Sequence, residues 1–589
     1  LSPGDSHARK QEALVSHTYL KGTLSTKKTP QSEPIPGSGQ VENTAGGFAW
    51  TISPLDRMRR WLILGSEGGT YYADERKLTK QNAQAVQAAL DEHGVAAVEE
   101  IIAISEAGRA PKNDPALFAL ALASAHSDIA VRKAAWHNLA RVARIGTHLF
   151  HYLDFVQEFR GWGRGQQKAV EHWYTDRPAS ALAYDVVKYR QRDGWSQRDA
   201  LRKSTPRVAE NSDQDLIFAW VTGRKEKIAR LNAEPVSASL RVIEGFERAQ
   251  RAASPADTAN LVREYRLPRE ALKTEHLNSP DVWIALLETG MPMVALVRNL
   301  ATMSRNKVTE TFSHGERMVV DALTDRGRIA RSRLHPVGVL SALLTYKTGR
   351  SYRGDGTWTP NARIVDALDE AFYHSFGAVE PSGKRTLIAV DVSGSMTNPI
   401  MKVPGLDARM AAGALAMVTA RVEPQYEIVV FSSGRGLDRY YGRSTMRHPD
   451  GEWMPPASYR NDRWQEMLGI APAPVSPRQR LDDVLTAIDS VPAGGTDCAL
   501  PIMYAMERDR PVDTFVILTD NETWAGQIHP AQALKQYRQK TGIDAKLIVV
   551  AMTATEFSIA DPNDRGMLDV VGFDTDAPNI MSEFSKGNV

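Results

Sequence analysis

Cysteine is nearly absent: Cys498 is the only one in a chain of 589 residues. A lone thiol excludes an intramolecular disulfide framework and a Cys-rich zinc site, and it suits a reducing compartment. Long apolar runs are missing too. Nothing approaches the roughly 18 consecutive apolar residues that span a bilayer, and residues 1–46 lack the apolar stretch of a secretory signal. A cytoplasmic location with no membrane partner is expected. Nor does one sign of charge dominate, since 72 Lys and Arg meet 70 Asp and Glu for a net charge of +2. Any affinity for a polyanion must come from where the charge is placed.

What is present is ordinary for a globular protein, with 42% hydrophobic and 24% charged residues. The length implies roughly two to four folding units. Residues 1–46 are rich in Ser, Thr, Pro, Gly, Lys and Gln, bury too little to offset the entropy of ordering, and are expected to form a disordered tail. Residues 47–376 read as helical, with Val86, Leu90, Val95, Val98, Ile101 and Ile102 recurring three and four apart. Segments 115–125 and 129–144 make a clear pair, with Asp128 as N-cap of the second. Such pairs in series, without convincing strands, predict a HEAT-like α-helical repeat array.

From Lys384 the pattern changes. Residues 386–390, 427–431, 514–518 and 547–551 are short runs rich in Val and Ile, the mark of strands buried on both faces. Helical segments at 408–422, 481–490, 499–507 and 530–541 alternate with them. Residues 384–589 are therefore predicted to form a doubly wound parallel sheet, with ligand sites at the carboxyl ends of its strands. The whole chain is a multidomain α plus α/β protein.

The first of these strands runs into Asp391-Val392-Ser393-Gly394-Ser395, a loop that offers two hydroxyls and a carboxylate. Gly494-Gly495-Thr496-Asp497 offers another hydroxyl, and the strand at 514–518 leads to Asp520. Hydroxyls with only two carboxylates suit a hard divalent cation such as Mg²⁺ rather than zinc. Any one loop alone could equally be capping a turn or helix. Taken together, the three resemble the metal-ion-dependent adhesion site of von Willebrand factor A domains. That resemblance implies direct ligation by Ser393, Ser395 and Thr496, with Asp391 and Asp520 acting directly or through water.

Positive charge gathers between Arg160 and Arg207, where eleven Lys and Arg meet five Asp and Glu for a local +6. Trp162, Trp173, Tyr174, Tyr189 and Trp195 are interleaved with them. Cations for phosphates and rings for exposed bases are what RNA binding requires. A solvated helix face with its rings turned to the core would read the same, and charge counting leaves both open.

Longer passages carry a family resemblance. They include Gly65-Ser66-Glu67-Gly68-Gly69-Thr70-Tyr71-Tyr72, Gly161-Trp162-Gly163-Arg164, Lys188-Tyr189-Arg190-Gln191-Arg192 and Leu344-Thr345-Tyr346-Lys347-Thr348-Gly349. Further on come Pro492-Ala493-Gly494-Gly495-Thr496-Asp497-Cys498, Thr519-Asp520-Asn521-Glu522-Thr523 and the stretch from Ala560 to Asp569. In order, these resemble the Ro ribonucleoprotein autoantigens, with their TROVE module and von Willebrand factor A domain, in a bacterial form. The loop at residues 65–70 lacks the Lys-Ser or Lys-Thr of a P-loop and is read as structural.

The resemblance implies a helical ring at 47–376 closed by the A-type domain at 384–589. It implies small non-coding Y RNAs on the outer surface and the single-stranded 3′ ends of misfolded RNAs in the central hole. By position, Lys168, Lys188, Arg190, Arg192, Arg198 and Arg202 become candidates for the RNA face. A non-catalytic RNA quality-control adaptor is expected, monomeric, without a DNA partner, and working with an exoribonuclease. The alternatives are a metal-dependent protein-interaction module or a metal-dependent nuclease. Gln197 and Thr205 stand where animal members carry His, and residues 432–480, with eight Arg, exceed the corresponding animal stretch. The polar segment before Gly47 is idiosyncratic.

Overall fold

The computed structural model describes residues 28–64, 83–224, 237–351, 355–400, 405–433 and 469–588. The glycine-rich loop at 65–70 and most of the 432–480 insertion lie outside them.

The strands of the C-terminal region, apolar through their middles and polar mainly at their ends, stack into one sheet covered on both faces. In the chain's numbering these are β5 (Thr386–Asp391), β6 (Tyr426–Phe431), β7 (Ile470–Pro472), β8 (Thr514–Thr519), β9 (Lys546–Ala551) and β11 (Met567–Val571). The order is β11-β9-β8-β5-β6-β7. Five strands are parallel, as expected; β7 runs antiparallel to β6 and makes the sheet mixed. Alternate residues point to opposite faces. Ile388, Val390, Val516 and Leu518 pack on one side, while Leu387, Ala389, Phe515 and Ile517 pack on the other. Helices Ala408–Val422 and Pro530–Thr541 match the expected segments residue for residue.

The N-terminal two-thirds is helical from Pro54–Leu64 to Ala362–His374. Each helix buries a stripe against its neighbours, and Asp128 caps Ile129–His137 by accepting from the Ala130 N–H at 2.8 Å. The first face of the sheet and the helical array share a single continuous core. Both ends of the array meet the sheet domain. The buried Arg60 guanidinium donates to both oxygens of Asp569 at 2.6 Å and to the Thr555 and Phe557 carbonyls at 2.8 and 2.9 Å. At the other end, Lys347 pairs with Asp482 at 2.5 Å and the Asp369 carboxylate accepts from the Leu481 N–H at 2.5 Å. The ends also touch directly, His335 Nε2 lying 3.1 Å from the Arg109 carbonyl. The array is thereby closed into a ring.

That closing histidine must be neutral. Its Nδ1 accepts from the Val337 N–H at 3.2 Å, so Nε2 is the donor, and complete burial lowers its pKa from 6.5 to about 4. Below pH 6.5 the unfolded chain takes up a proton that the folded one refuses, so stability is lost as pH falls from 6.5 to about 4. Urea denaturation is expected to show wild type losing about 3 kcal/mol more than His335→Asn between pH 7 and pH 4.

Two expectations are corrected here. Residues 28–46 of the polar segment before Gly47 dock on the sheet domain through hydrogen bonds that no hydrophobic pattern announces, and residues 1–27 of the expected tail lie outside the described residues. Gln31 Nε2 donates to Asp497 Oδ1 at 2.7 Å and to the Ile528 carbonyl at 2.8 Å, and Asn43 Nδ2 donates to the Thr523 carbonyl at 2.8 Å. A Cβ on Gly47 would sit 1.9 Å from that same Thr523 oxygen, so only glycine allows the approach. The region from Phe48 is also not helical at its start. There, β2 (Phe48–Thr51) pairs with β1 (Val41–Glu42) on one side and, on the other, with β10 (Phe557–Ser558), a strand of the far end of the chain.

Candidate nucleic-acid interface and metal centre

The basic segment folds into helices Arg164–Thr175 and Ala179–Lys188, a short hairpin, and helix Gln197–Ser204. The hairpin joins β3 (Gln191–Arg192) and β4 (Trp195–Ser196) through Asp193 and Gly194, whose positive φ of 50° and 77° is what a two-residue turn of this hand needs. Ser196 then starts the last helix with a capping box to Asp199. Helix spacing puts Arg198 and Arg202 on one exposed face, opposite buried Gln197, Ala200, Leu201 and Ser204.

Lys168, Arg190 and Arg192 are exposed as well. Arg192 lies 3.6 Å from Asp193, and no described carboxylate comes within ion-pair distance of Lys168, Arg190, Arg198 or Arg202. Lys188 differs. It is half-buried, with Nζ over the Tyr184 and Tyr189 rings at 5.5 and 5.2 Å, and burial lowers its pKa. Arg177, part of the same charge count, is structural: it stacks on Trp173 at 3.8 Å and lies 3.7 Å from Asp185.

The rings do not form a base-stacking surface. Trp173 and Tyr174 are fully buried and Trp195 nearly so, which leaves Trp162 as the exposed one of the five. Lys203, counted in the sequence but not singled out, sits between Trp162 and Trp195 at 5.4 and 5.1 Å. Gln197 is likewise a core residue, accepting from the Tyr174 hydroxyl at 2.6 Å and donating to the Tyr189 carbonyl at 3.0 Å. Thr205 ends its helix in the left-handed region and accepts from Gln167.

A clamp that no sequence pattern reveals fixes the hairpin. His151 reaches Asp114 at 2.6 Å with Nδ1 and Asp193, in the hairpin turn, at 2.9 Å with Nε2. The hydrogen bond to Asp114 raises its pKa, so the charged form of the ring is favoured between the two carboxylates.

The three metal loops come together at the carboxyl ends of β5 and β8, and all five expected residues are buried. Asp391 Oδ1 accepts from the Ser393 N–H at 2.8 Å and Oδ2 from the Thr519 hydroxyl at 2.6 Å. The Ser393 and Ser395 hydroxyls are 3.1 Å apart. The Thr496 loop is drawn in by the Gly394 N–H on the Gly494 carbonyl at 2.9 Å, and no side-chain bond of Thr496 to the other four residues is seen among the described residues. Burial raises the pKa of both Asp391 and Asp520, and the Asp520 charge raises that of Asp391 further. Asp520 Oδ1 accepts from the Glu522 N–H at 3.1 Å, whereas Oδ2 is buried without a partner. An orphaned carboxylate oxygen beside clustered hydroxyls fits a hard cation with oxygen ligands. Among the described residues no group of three or more His, Cys, Asp or Glu is gathered, so a cation held here would need hydroxyl or water oxygens as well.

Comparison with known proteins agrees with this layout. The TROVE domain family matches residues 41–384, and the Ro60 vWA domain family matches residues 385–444 and 463–585. The chain is 42% identical over 563 residues to the RNA-binding protein RO60 of Deinococcus radiodurans, covering 95% of this chain and 98% of that protein. It is 32% identical over 651 residues to the RNA-binding protein RO60 of Caenorhabditis elegans, covering 98% and 95%. The crystal structure of the Deinococcus radiodurans RO (RSR) protein superposes with a TM-score of 0.65 at 40% identity, over 91% of this chain and all of that one. No helix among the described residues is long and apolar enough to cross a membrane. With a helical ring, an A-type domain and both family matches in register along its length, this chain belongs to the Ro60 family of TROVE proteins.

Proposed function

We propose that this chain binds RNA without cutting it. It holds small non-coding RNAs of the Y type on the outer face of the ring, and single-stranded 3′ ends of misfolded RNA, as an adaptor in RNA quality control or processing that hands RNA to an exoribonuclease. The observation that carries the reading is the set of exposed cations Lys168, Arg190, Arg192, Arg198 and Arg202 on adjoining elements, four of them without a described carboxylate partner. Half-buried Lys188 supports the surface from behind. Two relatives bearing the name RNA-binding protein favour the same partner. Fluorescence anisotropy with a structured RNA carrying a single-stranded 3′ end is expected to give micromolar or tighter affinity that weakens steeply with salt. Salt-independent binding, or hydrolysis of the RNA by purified protein, would overturn it.

Mg²⁺ is the expected ion of the metal centre, held by Ser393, Ser395, Thr496 and Asp520, with Asp391 bracing the loop through Ser393. Its charge would offset two carboxylates buried side by side. Saturating Mg²⁺ is expected to stabilise the fold by about 2.7 kcal/mol at a hundredfold excess over Kd. Calorimetry should show the raised Tm for wild type and not for Asp520→Asn.

A further inference from the structure

A second basic stretch lies far along the chain from the Arg190 hairpin: residues 298–363 carry twelve Lys and Arg against five Asp and Glu. Within it, the loop between helices Met293–Arg305 and His314–Thr324 turns Phe312 into solvent. At 79% exposure it stands well above Ile129, the next most exposed large hydrophobic residue among those described, at 48%. A mobile loop would fold such a ring away from water. This loop is built instead to display it.

Lys307 and Phe312 both hold positive φ, 60° and 68°, which non-glycine residues keep only when their surroundings impose it. The Phe312 N–H donates to Glu316 Oε2 at 2.7 Å, and Arg317 donates to the Phe312 carbonyl at 3.2 Å. Glu316 is fully buried and is held in turn by Asn361 Nδ2 at 2.7 Å, while Arg363 reaches the same Oε2 at 3.2 Å. The Ser313 hydroxyl donates to the Val308 carbonyl at 2.9 Å, and a Cβ on Gly315 would sit 2.3 Å from that carbonyl oxygen. Two guanidinium groups thus touch the groups that fix the Phe312 backbone, and exposed Lys307 lies on the same loop. Glu310, Asp321, Asp325 and, beside Arg363, Asp366 are exposed carboxylates nearby in sequence, but Asp366 pairs with Arg480 and no described carboxylate comes within ion-pair distance of Lys307 or Arg317.

We infer that this loop is a second RNA contact: the Phe312 ring stacks on one unpaired base while Arg317, Arg363 and Lys307 face the flanking phosphates. The inference rests on the RNA-binding reading above. Its ligand class is single-stranded RNA, because a displayed ring needs a free base face and the cations need a polyanion. It also supplies the aromatic surface that the first basic segment turns inward.

The test uses the full chain with a labelled single-stranded oligouridylate and a blunt RNA duplex of equal length. Phe312→Ala is expected to weaken the single strand about tenfold and leave the duplex unchanged, as loss of one base stack does. Phe312→Trp should retain binding, and Phe312→Leu, apolar without a π face, should behave like alanine. Wild-type affinity in Phe312→Ala, or in Phe312→Leu, overturns the inference. If wild type binds neither RNA, the RNA-binding reading falls with it. If reversal of Arg190, Arg192 and Arg198 abolishes binding while Phe312→Ala does not alter it, this inference alone falls.

Discussion

Arg190→Glu, Arg192→Glu and Arg198→Glu combined in one chain are expected to weaken RNA binding by about a hundredfold at physiological salt. The size follows from counterion release. Each lost phosphate contact removes about 0.7 to 0.9 from the slope of log K against log salt, so three contacts remove about two to three. Carried from 1 M down to about 0.15 M salt, that is about two orders of magnitude, and the repulsion introduced by glutamate adds to it. All three side chains are exposed, so the fold should survive, and an unchanged thermal transition would show that it has. Affinity measured across a salt series checks both numbers. An unaltered slope would mean that the phosphates lie elsewhere on the ring.

The largest effect on stability is expected from Arg60→Ala. This guanidinium is 1% exposed and donates through Nη2 to both oxygens of one carboxylate and through Nη1 to two carbonyls, all of them on the sheet domain. Removing it leaves Asp569 with the Ser558 hydroxyl as its remaining described partner and takes a donor from both carbonyl oxygens, and breaking such a buried pair costs about 3 to 5 kcal/mol. Arg60→Lys should recover only part of the loss, because an ammonium cannot reproduce the planar fork. Because the contact ties the first helix to the sheet, the ring should also loosen. Urea denaturation reads the energy, and a rise in the radius of gyration by small-angle scattering reads the loosening.

The clamp at His151 gives the hairpin a dependence on pH of the opposite sign to that of His335. Its raised pKa means that the contribution is full below pH 6.5 and fades as pH rises through the folded value. The stability cost of His151→Gln should therefore be larger at pH 6 than at pH 9, measured by urea denaturation. The groups around this ring are Asp114, Asp193, Arg192 and the neighbouring His148, which burial holds neutral with a pKa of about 4.

Information carried by residues close together in the chain was legible without coordinates. Strands β5, β6, β8 and β9 fall within a residue of the expected runs, because a strand covered on both faces must be apolar throughout. Asp128 caps its helix because capping involves only the next few residues. Two of the three metal loops could be named because they follow β5 and β8 directly, whereas the Thr496 loop follows the helix Leu481–Asp489 and was legible only from its residue types. The edge strand β7 was not legible: three residues ending in proline carry no periodicity, and only pairing with β6 makes them a strand.

Amino-acid order by itself determined the two architectures, the candidate oxygen donors at the strand ends and where positive charge gathers, since each depends on periodicity or on neighbours in the chain. Tertiary structure alone decided the rest. It placed residues 28–46 against loops 466 to 497 positions away, sent Trp173, Tyr174 and Trp195 inward, and closed the ring at His335 and Arg109. It also left Phe312 outside. The physical reason is common to all four: burial and hydrogen-bond partners are properties of what lies nearby in space, and a one-dimensional pattern does not contain them.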